Sequence, residues 1–427
     1  MNDGPDASVA APLVARRVAL DVLAACLDKH QALDDALARH PGLVALEPRD
    51  RAFVRLLLAT TLRRLGEIDA VLAALIERPL EGTNAAGRQV LRLGAAQLMF
   101  LGTPAHAAVD TSVRLAEAIR LPHLKGLANA VLRRVANDGA TLIGERDAAR
   151  LNTPEWLWES WRESYGEETT RAIANAHLCE APLDLSVKQD AAAWAERLDA
   201  ELLPTGTLRR KAGGNVTELP GFAEGAWWVQ DAAAALPVRL LGDVSGKRVA
   251  DLCAAPGGKT LQLAAAGARV TAVDISARRV ARLEDNLKRA GLAAELVVTD
   301  ASKWTPDEKF DAVLLDAPCS GTGTLRRHPD IAWLKSQDDV DRLALAQDRL
   351  LANAVKLLRP GGTLVYAVCS LQEEEGLPRI AATKLHRGAV QATEIPGLEA
   401  AITPDGDVRT LPTMGVDGFF VARLSLE

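Results

Sequence analysis

The stretch Phe310-Asp-Ala-Val-Leu-Leu-Asp-Ala-Pro-Cys-Ser320 decides the fold of the C-terminal half of this 427-residue chain. Its apolar run, 312–315, is typical of a buried parallel strand, and the run leads directly into Asp316 and Cys319. In an open α/β sheet, ligands bind at the carboxyl ends of the strands. An acid and a thiol at such a strand end, beside a turn stiffened by proline, therefore indicate a reactive site.

A second thiol, Cys369, ends another strand-like run that begins at Thr363. From about Val238 onward, strand-like and helical segments alternate, which predicts a mostly parallel sheet with helices on both faces. A late run, Asp417 to Leu424, is predicted to add an antiparallel strand at the end of the sheet. We therefore expect an α/β domain over residues 237–427, with both thiols at strand ends.

The N-terminal third of the chain has a helical pattern. Apolar residues such as Leu20, Leu23 and Leu27 recur at helical spacing, so residues 1–140 are predicted to form an all-α domain. Residues 141–236 are predicted to be a connecting subdomain. Paired arginines recur in the all-α part, and their pattern fits either solvated helix faces or RNA contacts.

Composition excludes several classes of protein. Five scattered cysteines do not make a disulfide framework, so a reduced cytoplasm is the expected compartment. The seven histidines show no metal-binding spacing, and no run is long and apolar enough to predict a membrane span. The net charge of −6 argues against nucleic-acid binding through the whole surface, but it leaves a local basic patch possible.

The first strand–helix turn of the α/β domain, 251–260, lacks the first glycine of a phosphate-binding P-loop. Its small residues instead let the backbone approach a ligand closely. Asp274, Asp300 and Asp316 end successive predicted strands. At such a position Asp274 can accept hydrogen bonds from ribose hydroxyls, and Asp300 can accept one from an adenine amino group. Helix capping would explain any one of these acids, but it explains three in succession poorly. The pattern predicts a nucleoside pocket that suits S-adenosyl-L-methionine better than a dinucleotide.

Two parts of the sequence resemble known families. Segments at 91–98, 104–110 and 127–134 resemble the NusB-like RNA-binding helical domain. Three motifs of the α/β domain resemble those of the Sun family of RNA cytosine-C5 methyltransferases: Cys253-Ala-Ala-Pro-Gly-Gly-Lys-Thr260, Asp316-Ala-Pro-Cys-Ser320 and Tyr366-Ala-Val-Cys-Ser370. The resemblance implies a NusB-like domain followed by a Rossmann-like, S-adenosylmethionine-dependent methyltransferase domain.

The resemblance also implies roles for individual residues. Cys369 would be the nucleophile, Cys319 the second thiol that assists product release, and Asp316 and Lys259 their catalytic neighbours. Expected contacts to S-adenosyl-L-methionine are Cys253, Ala254, Ala255, Pro256, Gly257, Gly258, Lys259, Asp274, Arg279, Asp300 and Asp316. The basic residues after the acid–thiol loop are expected at the pocket rim, either as RNA phosphate contacts or as plain surface charge: Arg326, Arg327 and His328.

The chemistry explains why two thiols are useful. Carbon 5 of cytosine is too weak a nucleophile to take a methyl group directly, and addition of a thiolate to carbon 6 activates it. A thiol needs a positive neighbour to ionise, and the expected one is either Lys259 or the cationic sulfonium of S-adenosyl-L-methionine. The implied substrate is 16S rRNA, at the cytosine conventionally numbered 967, and the implied enzyme is a monomer. The alternatives are a methyltransferase for tRNA or another RNA, a DNA cytosine methyltransferase, an amino-methyltransferase, and a catalytically silent RNA-binding ribosome assembly factor.

Overall fold

The computed structural model of the protein describes residues 7–80, 82–144, 146–211 and 215–426. The chain divides into two compact units. The helical unit contains the chain up to Cys179 together with His328–Leu334, and the sheet unit contains Glu180–Arg327 together with the chain from Lys335 onward. The predicted connecting segment, 141–236, is thus divided between the two units.

The helical unit is built from amphipathic helices, and the all-α prediction for this part of the chain is confirmed. Leu23, Leu57 and Leu91 are among the fully buried residues of its core. Its helices before Cys179 are α1 (Ala7–Lys29), α2 (Leu33–Arg39), α3 (Pro41–Val44), α4 (Pro48–Arg63), α5 (Leu65–Leu75), α6 (Ala85–Met99), α7 (Ala105–Ala118), α8 (Lys125–Ile143), α9 (Ala148–Leu151) and α10 (Glu155–His177).

The sheet unit alternates strands and helices as the sequence predicts. Its strands are β1 (Leu183–Val187), β2 (Glu201–Leu202), β3 (Leu208–Arg210), β4 (Trp227–Val229), β5 (Arg248–Leu252), β6 (Arg269–Asp274), β7 (Glu295–Val298), β8 (Phe310–Asp316), β9 (Leu358–Val368), β10 (His386–Arg387), β11 (Val408–Thr410) and β12 (Phe419–Ser425). The remaining helices are α11 (Ala191–Arg197), α12 (Ala232–Arg239), α13 (Gly258–Ala265), α14 (Ala277–Ala290), α15 (Ile331–Leu334), α16 (Gln337–Leu357) and α17 (Leu377–Ala381), of which α15 belongs to the helical unit.

The segment His328–Leu334 completes the helical unit from a distant part of the sequence. The indole Nε1 of Trp333 donates a hydrogen bond of 2.8 Å to the carbonyl of Leu62, and the Trp333 ring packs against the helical core. A carboxylate oxygen of Asp330 accepts a 2.9 Å hydrogen bond from the backbone N–H of Leu33 at the start of α2. Such a bond satisfies one of the backbone donors that a helix N-terminus leaves unpaired.

The large sheet has the strand order β10-β12-β9-β8-β5-β6-β7, with β11 paired to β12. The strands from β9 to β7 are parallel, whereas β12 runs antiparallel to β9. The prediction of a late antiparallel strand is therefore confirmed. A smaller antiparallel sheet has the order β2-β3-β1-β4. Strand β9 begins at Leu358, earlier than predicted, because the Pro360-Gly361-Gly362 stretch continues it.

The large sheet is buried on both faces. Along β9, Leu364 and Tyr366 belong to one apolar cluster, whereas Val365 and Ala367 belong to the cluster on the other side. This alternation follows from the period of two in a strand. The helix α16 covers the Leu364 face, and its N-terminus carries a capping box between Ser336 and Asp339.

Candidate active site

Two neighbouring strands bring the two predicted thiols together. Strands β8 and β9 are parallel, and Asp316 lies opposite Ala367 in their register. The chain leaves both strands at the same edge of the sheet, so the sulfur atoms of Cys319 and Cys369 lie only 3.4 Å apart. The backbone N–H of Gly323 donates to the carbonyl of Cys369 over 3.1 Å, which ties the two loops to each other.

A charged pair lies at the same strand ends. Lys259, in the first turn of α13, extends its ammonium group to within 2.7 Å of a carboxylate oxygen of Asp316. The ammonium group also lies over the Phe419 ring, 5.4 Å from its centroid. Burial alone would lower the pKa of Lys259, but the charges of Asp316 and Cys369 and the hydrogen bond to Asp316 raise it above its usual value. Lys259 is therefore a permanent positive charge beside the thiol pair.

The two thiols do not have equivalent surroundings. The hydrogen bond with Cys369, burial, and the charges of Cys369 and Glu375 hold the pKa of Cys319 well above its ordinary value. Cys319 is thus a neutral thiol at physiological pH. The other cysteine of the sheet unit, Cys253, has its pKa raised to about 12, first by burial and then by the charges of Asp316 and Asp274. It too is a neutral thiol, and it contributes shape rather than nucleophilicity.

Beneath the thiols lies a buried hydrogen-bond network that the sequence did not predict. The carboxylate of Glu375 accepts hydrogen bonds from the N–H of Ser320 over 2.9 Å, from the Ser320 hydroxyl over 2.5 Å, and from the amide of Gln347 over 3.0 Å. The hydroxyls of Ser320 and Ser370 are 3.0 Å apart. Each of these serines directly follows one of the two cysteines, so the sequence could have indicated that they lie at the site. No such indication existed for Glu375, because a run of three glutamates is typical of an exposed turn.

A cavity of about 560 Å³ opens beside the strand ends. Four of the predicted cofactor residues line it, namely Cys253, Asp274, Arg279 and Asp300. Sequence reasoning missed the others, most of which follow β6 and β7 or lie on α16: Ile275, Ala301, Ser302, Lys303, Pro318, Ala346, Arg349 and Leu350. The α16 residues could not be predicted, because their inward face is set by packing on a distant part of the chain.

The acids of the cavity differ in what they already bind. Asp274 accepts a hydrogen bond of 3.2 Å from the backbone N–H of Ala255 and one of 2.9 Å from that of Ser276. The side chain of Asp300 is 40% exposed. Hydrogen bonds from the hydroxyl and N–H of Ser302 are the main cause of a lowered pKa at Asp300, so its carboxylate is ionised and open to a ligand.

The turn after β5 shapes the cavity through its backbone. Cys253 has a left-handed φ of +61°, and the peptide bond between Ala255 and Pro256 is cis. Gly257 has a φ of +107°, and a Cβ there would lie 2.9 Å from a carbon of Leu283, so only glycine fits. Within the described structure, seven of the predicted cofactor contacts do not line this cavity. One is Asp316, at the end of β8. The other six lie in the turn after β5 and at the start of α13: Ala254, Ala255, Pro256, Gly257, Gly258 and Lys259.

The expectation of an exposed basic side chain at the pocket rim is wrong for Arg326, and Arg327 is half-buried. Arg326 is 5% exposed and its guanidinium lies 2.9 Å from the carboxylate of Asp417. Arg327 donates to Asp417 and to Asp231, each over 2.8 Å. Both arginines neutralise the same two buried carboxylates. His328 is half-exposed, lies 3.5 Å from Asp34 and belongs to the helical unit.

Two other kinds of site are absent from the described parts of the chain. Within residues 7–80, 82–144, 146–211 and 215–426, there is no group of three or more His, Cys, Asp or Glu side chains that could hold a metal ion. Over the same residues, no helix combines the length and the apolar character that crossing a bilayer requires.

Comparisons with known proteins agree with this architecture. Residues 238–425 match a family described as 16S rRNA methyltransferase RsmB/F, and residues 13–137 match the NusB family. The ribosomal RNA small subunit methyltransferase B of Klebsiella pneumoniae is 35% identical over 96% of this chain and 97% of its own length. The protein of the same name from Vibrio cholerae is 36% identical, with the same coverage.

Solved structures show the same fold. The crystal structure of PH0851 superposes with a TM-score of 0.76 at 22% identity, over 97% of this chain and 99% of that one. A methyltransferase homologue from Pyrococcus horikoshii superposes with a TM-score of 0.56 at 25% identity, over 66% of this chain and 98% of that one.

Proposed function

The chain belongs to the family of ribosomal RNA small subunit methyltransferase B, whose members are S-adenosylmethionine-dependent RNA methyltransferases, and we propose that it methylates carbon 5 of a cytosine in 16S rRNA. The observation that carries the proposal is the 3.4 Å separation of the Cys319 and Cys369 sulfur atoms beside the Lys259–Asp316 pair. A methyl transfer to an amino group or to an oxygen needs no thiol, whereas transfer to carbon 5 of a pyrimidine needs a nucleophile at carbon 6.

The cavity suits S-adenosylmethionine. Its volume of about 560 Å³ lies within the range of sites for small organic ligands, roughly 300–1,000 Å³. The ionised and accessible carboxylate of Asp300 can accept hydrogen bonds from a nucleoside. Ile275, whose side chain is largely exposed, and Leu350 give the cavity apolar surface for a flat base. When bound, S-adenosylmethionine supplies the methyl group on a positively charged sulfonium.

The first chemical step belongs to Cys369. Lys259 provides the positive charge that favours a thiolate beside it. The thiolate of Cys369 forms a bond to carbon 6 of the cytosine, and the electron pair of the 5,6 double bond makes carbon 5 nucleophilic. Asp316, held by Lys259 and 32% exposed, accepts a hydrogen bond from the exocyclic amine and fixes the orientation of the ring. The cytosine has to be turned out of any base stack to reach this position.

The second step belongs to Cys319. Once Cys369 is bonded to carbon, it has lost the charge that opposes ionisation of Cys319, so Cys319 releases its own proton to water. Once carbon 5 has taken the methyl group and carries both that group and its original hydrogen, the thiolate of Cys319 takes the proton from carbon 5. The electron pair of that carbon–hydrogen bond restores the 5,6 double bond and expels Cys369 as a thiolate. One proton is released in the complete reaction, and both thiols return to their starting states.

Transfer of a radiolabelled methyl group from S-adenosylmethionine to 16S rRNA tests the proposal. Cys369→Ala is expected to abolish both methyl transfer and covalent enzyme–RNA complexes. Cys319→Ala is expected to slow release, so that a covalent complex accumulates on denaturing gels. Cys179→Ala is the matched control, because Cys179 is exposed and lies in the helical unit. Normal methylation by Cys369→Ala would disprove the assignment.

The same assay separates the alternatives. A DNA cytosine methyltransferase would methylate duplex DNA and would need Cys319, the thiol after proline, as its nucleophile. A tRNA methyltransferase would prefer tRNA, and a silent assembly factor would bind rRNA without transferring methyl groups. Bisulfite sequencing of the methylated rRNA identifies the target, which we propose to be cytosine 967. The NusB-family part of the chain is proposed to contribute RNA binding.

A further inference from the structure

Glu375 connects the two loops that carry the thiols. It lies in the turn Glu373–Glu375 and is completely buried. Its carboxylate holds the N–H and the hydroxyl of Ser320, the residue after Cys319, and it also receives a hydrogen bond from Ser370, the residue after Cys369. One side chain therefore fixes the position of both thiols relative to each other.

The contacts of Glu375 are those of an ionised carboxylate. The backbone N–H of Ser320 can only donate, and so can the amide nitrogen of Gln347, whose orientation is fixed because it also donates to the carbonyl of Pro318 over 3.0 Å. A protonated Glu375 would have to donate a hydrogen bond of its own, whereas the Ser320 N–H and the Gln347 amide are themselves donors and need an acceptor. Burial raises the pKa of Glu375, and the hydrogen bonds from Ser320, Ser370 and Gln347 oppose that effect.

The charged groups around the thiol pair are arranged asymmetrically. The charge of Glu375 acts on Cys319, after the effects of the hydrogen bond with Cys369, of burial and of the charge of Cys369, whereas Lys259 is paired with Asp316 and interacts with Cys369. The other charged groups nearby are engaged elsewhere: Asp251 accepts from Thr260, Arg379 pairs with Asp348, and Arg409 donates to the carbonyl of Ser370. The negative neighbour thus faces one thiol and the positive neighbour faces the other.

We propose that Glu375 is a positioning residue that holds Cys319 against Cys369 and helps to keep Cys319 protonated. A nearby like charge disfavours ionisation of a thiol, and an opposite charge favours it. The same negative charge makes the Cys319 thiolate, once formed, a stronger base for the carbon-5 proton. The catalytic meaning of this arrangement rests on the proposed function, but the ionisation of each thiol can be measured without RNA or S-adenosylmethionine.

Alkylation by iodoacetamide as a function of pH, with each labelled peptide identified by mass spectrometry, tests the proposal. Cys319 is measured in a Cys369→Ser background and Cys369 in a Cys319→Ser background. Glu375→Gln is expected to lower the pH midpoint of Cys319 by about one unit, which is about tenfold more thiolate at pH 8. Glu375→Asp keeps the charge and should keep a high midpoint. Glu373→Gln, on the exposed side of the same turn, is the matched control and should change nothing.

Two further measurements keep the test decisive. Lys259→Met should leave the Cys319 midpoint unchanged. In the protein with Glu375 intact, Cys319 should ionise at higher pH than the exposed Cys179, a comparison that does not require the Glu375→Gln chain to fold. The proposal is wrong if Cys319 and Cys179 share a midpoint, or if Glu375→Gln shifts both thiols equally. Should methyl transfer fail while the midpoints behave as expected, the proposed reaction is wrong and the role of Glu375 in the thiol pair stands.

Discussion

Replacing Arg327 by methionine should destabilise the sheet unit while leaving its surface charge pattern almost unaltered. The Arg327 side chain is 22% exposed and donates to Asp231, to Asp417 and to the carbonyl of Pro182 at 2.8–3.0 Å. The two carboxylates are 4% and 3% exposed. Methionine fills much of the same volume but cannot donate, so the carboxylates keep Arg326 as their main remaining partner.

The expected loss follows from this geometry. Removing one member of a buried ion pair costs about 3–5 kcal/mol, because the partner charge is left uncompensated. Arg326 still lies 2.9 Å from Asp417, so we expect the lower end, about 3 kcal/mol. Burial, and then the charge of Asp231, already raise the pKa of Asp417. Without Arg327 the pKa of Asp417 rises further. Protonation of Asp417 then removes its uncompensated charge, so the variant loses less stability at pH 5 than at pH 8.

Native-state hydrogen exchange at the slowest amides of β9 and β12 is the appropriate measurement, because a chain with two compact units need not unfold in one step. Arg282→Met, at an exposed position of α14, is the matched control and should change the free energy of opening by no more than about 0.5 kcal/mol. A loss below about 1 kcal/mol at Arg327, or one independent of pH, would refute the reasoning. RNA affinity measured on the folded fraction then shows whether the arginine has any second role.

Two substitutions near the site test other parts of the structure. Thr260→Val removes the 2.6 Å hydrogen bond to the buried Asp251, whose pKa burial raises to about 7. Denaturation should show that the free energy of unfolding falls by about 1.5–3 kcal/mol at pH 8 and by less at pH 5, where Asp251 is already neutral. An equal loss at the two pH values would contradict an ionised Asp251 at pH 8. Gly323→Ala would place a Cβ 1.9 Å from the Gly418 carbonyl oxygen and should cost about 1–3 kcal/mol. Gly126 lies in a helix with open space around it, so Gly126→Ala should instead stabilise the fold by up to about 1 kcal/mol. A change in stability of the same sign in both variants would count against the close contact between Gly323 and Gly418.

The architecture of the sheet unit could be predicted because its signals are local. The apolar runs before Asp316 and Cys369 are short, and each is bounded by residues that end a strand, so the position of both thiols at one sheet edge follows from the parallel-sheet rule. The same rule placed Asp274 and Asp300 at the cavity. The capping box at Ser336 was likewise contained within four residues.

What the sequence could not show depends on contacts between distant segments. Arg326 and Arg327 follow the acid–thiol loop directly, so an exposed rim was the natural expectation. Their burial is decided by Asp231 and Asp417, about ninety residues away on either side. Glu375 was hidden in the same way, because its buried environment is created by Ser320 and by Gln347 of α16.

The seven residues His328–Leu334 make the helical unit discontinuous in sequence, with consequences for anyone who wishes to work with fragments. A product that stops near residue 179 lacks the Trp333 indole and the Asp330 carboxylate, which it would otherwise hold at Leu62 and Leu33. The shortest uninterrupted stretch that contains the whole helical unit runs to Leu334 and therefore includes the Cys319 loop but not Cys369. No single cut in the gene can separate the two units and leave both intact.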